Sequence, residues 1–334
     1  MKHWIGIDVS RATLEVALTD DTGKTKGTVS VRNGSKPLCA LVKQWMKEFG
    51  IGQADLMICL EPTSHYSNGP VRWLVELGLR VWLAHPNDIQ RSIGCTRGKN
   101  DQVDALRIAE YARRFPDKAR LYTPEGLKHA ALRQLITRRN QLVRDRVKHQ
   151  KQMSDLNRHA EAELRRSFDR FDKVQLRLLT KLIKEVDTMI LEQINKEPEL
   201  QRMYELMRSV PGVGPVLASN LLAITEGFTR FKNPRALACH AGSAPYEFTS
   251  GSSIRGRTRV SPQANRGIKT LLHISALGCI TRPGELKDYW TRKCAEGKPK
   301  MSVLNALRNK IIHRVYAVIE RGTPYEVKCN LEMG

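Results

Sequence analysis

Over the first 120 residues the apolar positions recur with two different periods in turn. Trp4-Ile5-Gly6-Ile7-Asp8-Val9 is a short run rich in β-branched residues, and Leu14-Glu15-Val16-Ala17-Leu18 alternates with the period of two that a half-buried strand requires. Asp20-Asp21-Thr22-Gly23 supplies turn residues, and a third strand is expected over residues 27–31. From residue 35 to residue 49 the period changes: Leu38, Leu41, Val42 and Trp45 share one helical face, with Ser35 placed to cap it. A buried strand at 56–60 ending at Glu61, a helix near 71–77, a strand at 80–84 and helices at 87–93 and 101–115 follow. Three strands in a meander, then alternating helix and strand, predict a mixed sheet covered on both faces.

Residues 125–207 read almost wholly as helix. Leu176, Leu179, Ile183, Val186 and Ile190 step by 3, 4, 3 and 4, the seam of a coiled coil, and Leu132, Leu135, Leu142, Val147, Met153 and Leu156 give a less regular earlier arm. A bend at residues 165–171 would make an antiparallel hairpin; a dimerisation seam is the other reading, and Pro198 ends the second arm. Beyond Met207 the style changes again. Val210-Pro211-Gly212-Val213-Gly214-Pro215 separates two helical stretches and resembles the turn of a helix-hairpin-helix module, where backbone N–H groups meet a phosphate; a purely structural turn is the alternative. A Gly/Ser/Arg-rich loop at 242–259, a helix from Ser261 or Pro262, and further helices with 301–321 the clearest complete the chain.

The 334 residues suffice for two or three domains, and an apolar fraction of 41% excludes a disordered chain. No apolar run approaches the ~18 residues of a membrane span, and Met1-Lys2-His3-Trp4-Ile5 runs straight into strand-like sequence, so a cytoplasmic protein without a membrane partner is expected. The seven cysteines stand at least fifteen residues apart, which suggests neither a zinc site nor a disulfide framework. Charge alters the picture more. Of 56 Lys+Arg and 34 Asp+Glu, 21 cations but only 9 acids lie in residues 201–334. No acid occurs between Glu247 and Glu285, whereas Arg255, Arg257, Arg259, Arg266, Lys269 and Arg282 do. Cations concentrated without counter-charges are the footprint of a protein that binds nucleic acid.

In so basic a chain the placing of the acids is informative. Asp8 lies at the end of the first strand, Glu61 follows the later buried strand, and Asp101 and Asp104 share one face at a helix start. In an RNase H-like sheet the first and fourth strands are neighbours, so Asp8 and Glu61 converge and the last helix brings both aspartates opposite them. Four oxygen ligands without a cationic partner repel one another unless a hard divalent ion, Mg²⁺ or Mn²⁺, neutralises them. Two such ions orient a phosphodiester and stabilise its attacking and leaving oxygens. Taken singly, Asp101 also reads as a helix cap and Glu61 as an ordinary strand end; together the metal reading is the better one.

The ordered series Gly6-Ile7-Asp8-Val9-Ser10-Arg11, Glu61-Pro62-Thr63, Lys99-Asn100-Asp101-Gln102-Val103-Asp104-Ala105, Pro211-Gly212-Val213-Gly214, Ala241-Gly242-Ser243-Ala244-Pro245 and Ser250-Gly251-Ser252-Ser253-Ile254-Arg255-Gly256 resembles the DEDD transposases of the IS-one-ten and IS-eleven-eleven insertion-sequence families, relatives of the pilin-gene invertase. The resemblance spans almost the whole chain. It implies an α/β plus α protein: a RuvC-like RNase H-fold catalytic domain at 1–122, a helical coiled-coil region at 123–205, and a mainly helical carboxy-terminal transposase domain at 206–334 with the helix-hairpin-helix-like turn. It further implies that Asp8, Glu61, Asp101 and Asp104 bind Mg²⁺ and that Ser250 takes a DNA phosphate covalently. The expected partners are donor and target DNA, a bridge RNA that pairs with both, and further copies of the chain in a dimer or tetramer. Where the family often has Glu-Ala-Thr-Gly this chain has Glu61-Pro62-Thr63-Ser64, and Arg11 stands where lysine is common; neither change removes a metal ligand.

From the residues alone Ser250, Ser252 and Ser253 are equivalent, and only the resemblance selects Ser250. An alcohol needs activation before it attacks, and no histidine is closer in sequence than His240. Ions held on the carboxylates would meet that need, with Arg255, Arg257 and Arg259 on the phosphate or the backbone. A phosphoserine conserves the energy of the broken bond, which agrees with the lack of a GxxxxGK[ST] loop and of any nucleotide cofactor. The expected activity is therefore Mg-dependent DNA transposition and recombination through a phosphoserine. The alternatives are a hydrolytic, structure-selective RuvC-like nuclease in which Ser250 is passive, and a non-catalytic scaffold, against which the intact acid set argues.

Overall fold

The computed structural model describes residues 2–63, 66–93, 100–122, 124–156, 159, 161–244, 246–250, 254–259 and 264–326. The chain divides into two compact units, Met1–Lys128 and His129–Gly334. In the first, β1 (His3–Val9), β2 (Thr13–Asp20) and β3 (Thr25–Arg32) form the meander; α1 (Ser35–Glu48), β4 (Leu56–Leu60), α2 (Asn68–Glu76), β5 (Arg80–Leu83), α3 (Pro86–Ile93) and α4 (Asp101–Arg114) follow. The sheet order is β3-β2-β1-β4-β5, antiparallel from β3 to β1 and parallel from β1 to β5. That is the strand order of an RNase H-like sheet. Gly34, not Ser35, occupies the position before α1, and Ser35 is its first helical residue.

Strand alternation sorts the core into two layers. Ile5, Ile7 and Val9 of β1 pack with Leu14, Val16 and Leu18 of β2, Leu38, Leu41, Val42 and Trp45 of α1, and Val71, Leu74 and Val75 of α2. Trp4, Met57, Cys59 and Trp82 face the other way, against Ile108, Tyr111 and Ala112 of α4. At Gly6 this second layer has no room for a side chain: a Cβ there would lie 2.1 Å from the Ala105 carbonyl oxygen and 2.3 Å from the Ala109 nitrogen. The main chain of α4 thus lies directly on that of β1.

In the second unit α5 (Pro124–Leu156) and α6 (Ala162–Asn195) are followed by α7 (Pro198–Ser209), α8 (Pro215–Thr225) and α9 (Pro234–His240). Then come β6 (Tyr246–Ser250), β7 (Ile254–Arg259), α10 (Arg266–Ile280), α11 (Glu285–Ala295) and α12 (Lys300–Arg321). The Arg139–Asp187 ion pair and a 3.2 Å contact between His149 and Asp172 join α5 to α6 in antiparallel sense, and Ile183, Val186 and Ile190 are buried in the same cluster as Leu132, Ile136 and Leu142. Residues 165–171 lie inside α6 and not at a bend; the two helices are separate elements because α5 ends at Leu156 and α6 begins at Ala162. Residues 242–259 are likewise not all loop. Tyr246–Ser250 pairs antiparallel with Ile254–Arg259, two stretches whose aromatic and β-branched residues suit a hairpin. The helix expected from 261 or 262 begins at Arg266, capped by the Asn265 side chain, which accepts the Ile268 N–H at 3.1 Å. Among the described residues no helix is long and apolar enough to cross a membrane.

Gly6→Ala is expected to destabilise the protein by about 3 kcal/mol, the upper part of the range for overpacking, because the obstructing atoms are main chain and cannot rotate away. Gly214→Ala, at a position with nothing within 4 Å of a new Cβ, is expected to cost less than about 1 kcal/mol. Urea denaturation of the two variants checks the difference.

Candidate active site

Period two also decides which side of the sheet each acid takes. Trp4, Gly6 and Asp8 of β1 fall on the α4 side, as do Met57 and Cys59 of β4, and Glu61 continues that alternation. Ile7 pairs with Leu60 in parallel register, so Asp8 and Glu61 stand one residue further along adjacent strands. The exit after Glu61 is braced locally: the Ser67 hydroxyl accepts the Thr63 N–H at 2.6 Å, and the Ser67 and Thr63 hydroxyls donate to the Glu61 carbonyl at 3.5 and 3.4 Å. Across the layer, Asp101 and Asp104 occupy the first turn of α4. Asn100 supplies the cap, its side chain accepting the Gln102 N–H at 3.1 Å, so Asp101 is not the capping residue.

These four groups feel one another. Asp8 is pushed up from 3.8 to about 6, first by burial and then by the charges of Asp101, Asp104 and Glu61, while the Val9 N–H works in the opposite direction. One feature differs from the sequence expectation of acids without a cationic partner: Arg107 donates to Asp104 at 2.8 Å from the next turn of α4. Among the described residues no three His, Cys, Asp or Glu side chains stand close enough to hold one metal ion. The acids share a field without converging on a point. Their chemistry, oxygen donors only in a half-buried anionic pocket, nevertheless fits a hard divalent cation and no softer one.

Glu15 went unremarked in the sequence reading. It pairs directly opposite Asp8, which puts it on the same side of the sheet; its Oε1 accepts the Ser30 hydroxyl at 2.5 Å and its Oε2 is buried without a hydrogen-bond partner. The alternation of Leu14, Val16 and Leu18 already carried that signal.

Ser250 closes β6 and pairs with Ile254, while Arg255, Arg257 and Arg259 are positions of β7. The side chains of these residues, and Ser252 and Ser253 altogether, lie outside the described residues. Arg266 opens α10 and is exposed, and Lys269 follows within the first turn, half-buried. The acids therefore belong to the first compact unit, and the serine with its five neighbouring cations to the second.

Two family models match the chain. DEDD_Tnp_IS110, described as a transposase, covers residues 5–157, and the model described as the transposase IS116/IS110/IS902 family covers residues 204–291. The pilin gene-inverting protein of Moraxella lacunata is 23% identical over 98% of this chain and 99% of its own length. An uncharacterised 44.8 kDa protein of insertion element IS116 from Streptomyces clavuligerus is 24% identical over 95% of this chain and 94% of its own. Among solved structures, RuvC of T. thermophilus in complex with a Holliday junction substrate is 12% identical and covers 36% of this chain and 100% of that one, with a TM-score of 0.28. Two models of one family in chain order, with relatives matched almost end to end, leave a single assignment: the chain belongs to the IS116/IS110/IS902 family of transposases.

Proposed function

We propose that this transposase cuts and rejoins DNA through a phosphodiester linked to Ser250, with Asp8, Glu61, Asp101 and Asp104 as ligands of a divalent cation, magnesium or its substitute manganese. The observation that supports this reading is the raised carboxyl of half-buried Asp8, which lies in the field of three further acids where a divalent cation would be favoured. Bound there, such an ion would offset negative charge developing on a phosphate. In the proposed step the Ser250 oxygen bonds to phosphorus as its hydroxyl proton leaves, and the bond from phosphorus to one deoxyribose oxygen breaks; that oxygen departs as a hydroxyl. One phosphodiester replaces another, so attack by a different deoxyribose hydroxyl rejoins the strand and restores the serine without a nucleotide. Arg255, Arg257, Arg259, Arg266 and Lys269 would hold the DNA backbone. A bridge RNA that pairs with donor and target DNA, and assembly of several copies of the chain, belong to the same reading through the family resemblance.

Ser250→Ala is expected to remove both the covalent protein–DNA adduct on a nicked substrate and strand transfer, a loss on the order of 10³-fold or more. Cleavage that persists without an adduct would turn the reading into the hydrolytic one, and a persisting adduct would move the nucleophile to another residue. The acids have a separate test. Folded Asp8 holds its proton more tightly than the unfolded chain does, so in chelator the stability it contributes is lost as pH rises from 3.8 through about 6. Asp8→Asn is expected to raise stability near neutral pH by about 1 kcal/mol, after allowance for solvent screening. Added Mg²⁺ is expected to raise the melting temperature of the natural protein and not that of the variant; equal responses would remove Asp8 from the site.

A further inference from the structure

The second compact unit buries a cation that it does not neutralise. Arg308 lies within α12 and is only 5% exposed. Its Nη2 stands 2.8 Å from Nδ1 of His273 on α10, its Nη1 3.4 Å from Oδ1 of Asn305, and its Nε is buried without a hydrogen-bond partner. A guanidinium can only donate, so His273 Nδ1 accepts and the ring is neutral, with its proton on Nε2. Burial pushes the Arg308 guanidinium down, and burial together with the charge of Arg308 does the same to His273. Among the described residues no carboxylate pairs with Arg308. Replacing buried charged groups by apolar side chains of similar size is often neutral or stabilising. Stability therefore does not account for an arginine at this position.

The surroundings do. Asn305, one turn earlier on α12, donates from Nδ2 to the Ser243 carbonyl at 2.8 Å. Ser243 ends the turn after α9, where its N–H and its hydroxyl both donate to the Ala238 carbonyl, at 2.9 and 3.2 Å. On the returning side the Asn265 N–H donates to the His240 carbonyl at 2.8 Å. The chain leaves this clamp after Ser243, runs through β6 and β7, and comes back to it at Asn265. Ser243, which precedes β6, and Asn265, which follows β7, are thereby fixed to helices, and Arg308 ties the helix that holds the first to the helix that starts at the second.

We propose that Arg308, with His273 and Asn305, is a positioning element that sets the direction in which the β6–β7 hairpin presents Ser250 to DNA, and that it is retained at a cost in stability. The proposal rests on the reading of Ser250 as nucleophile. A merely structural arginine makes the opposite forecast, because there stability and activity fall together.

The experiment measures strand cleavage, DNA affinity and melting temperature of the full chain for Arg308→Met, Arg308→Lys, Asn305→Ala and Ser250→Ala. Arg308→Met is expected to melt at the same or a higher temperature, to bind DNA within about 3-fold of the natural protein, and to cleave about 100-fold more slowly, the loss that a displacement of about 1 Å brings. Arg308→Lys should recover part of the rate. A joint fall in stability and rate, or an unchanged rate, overturns the proposal. If Arg308→Met fails to fold, Asn305→Ala decides: a lowered cleavage rate at unchanged melting temperature supports positioning, and a natural rate refutes it. Cleavage kept by Ser250→Ala but lost by Arg308→Met would fault the nucleophile alone, and the reverse pattern would fault the positioning element alone.

Discussion

The candidate active site depends on a side chain that is absent. Because residue 6 is glycine, the α4 main chain rests on β1 at a separation no other residue would allow, with Ala105 and Ala109 on the contacting face. Asp8 follows Gly6 by two positions on the same side of the strand, and Asp101 and Asp104 precede Ala105 by four and one. A helix held further from the sheet would leave the first-turn aspartates too remote to raise the Asp8 carboxyl. The close packing is thus the cause of the electrostatic coupling that acts on Asp8 from the other three acids.

Each compact unit gathers charge that it cancels only in part. In the first, negative groups accumulate around half-buried Asp8; in the second, the Arg308 guanidinium is enclosed by neutral partners. Both arrangements lower the stability of the folded chain, and both have signs that match the chemistry of a DNA-cleaving and DNA-joining enzyme: a metal cation for the acids, a phosphodiester for the cation-rich unit. Elsewhere charges are paired conventionally, as in Glu110 with Arg113 and Arg114, or Arg133 with Glu226.

Much of the first unit was legible because its signals are local. The run Trp4–Val9 marked the first strand and the end at which Asp8 lies, whereas its division into one face of Ile5, Ile7 and Val9 and another of Trp4, Gly6 and Asp8 is seen in the packing of the sheet. Strand period two applied to Leu14, Val16 and Leu18 would have found Glu15. Other features were not local. The β6–β7 hairpin is hidden in a composition of glycine, serine and arginine that also describes a loop, and its pairing becomes visible only as a register between strands. Asn305 and Ser243 are 62 residues apart, and no periodicity links an amide in one helix to a carbonyl at the root of a hairpin. The Arg107–Asp104 pair, by contrast, has the ordinary spacing of three along a helix and was readable in principle.

The segregation of charge explains why such uncancelled groups survive. Residues 201–334 carry 21 cations and 9 acids, so few carboxylates are available near the hairpin to quench its arginines. Within the first unit Arg107 pairs with Asp104, while the second unit is left with few carboxylates of its own. Under the proposed reading a divalent cation and a DNA phosphate supply the charge that pairing within each unit does not, which would make the energetics of binding and of catalysis properties of the assembled complex rather than of the protein alone.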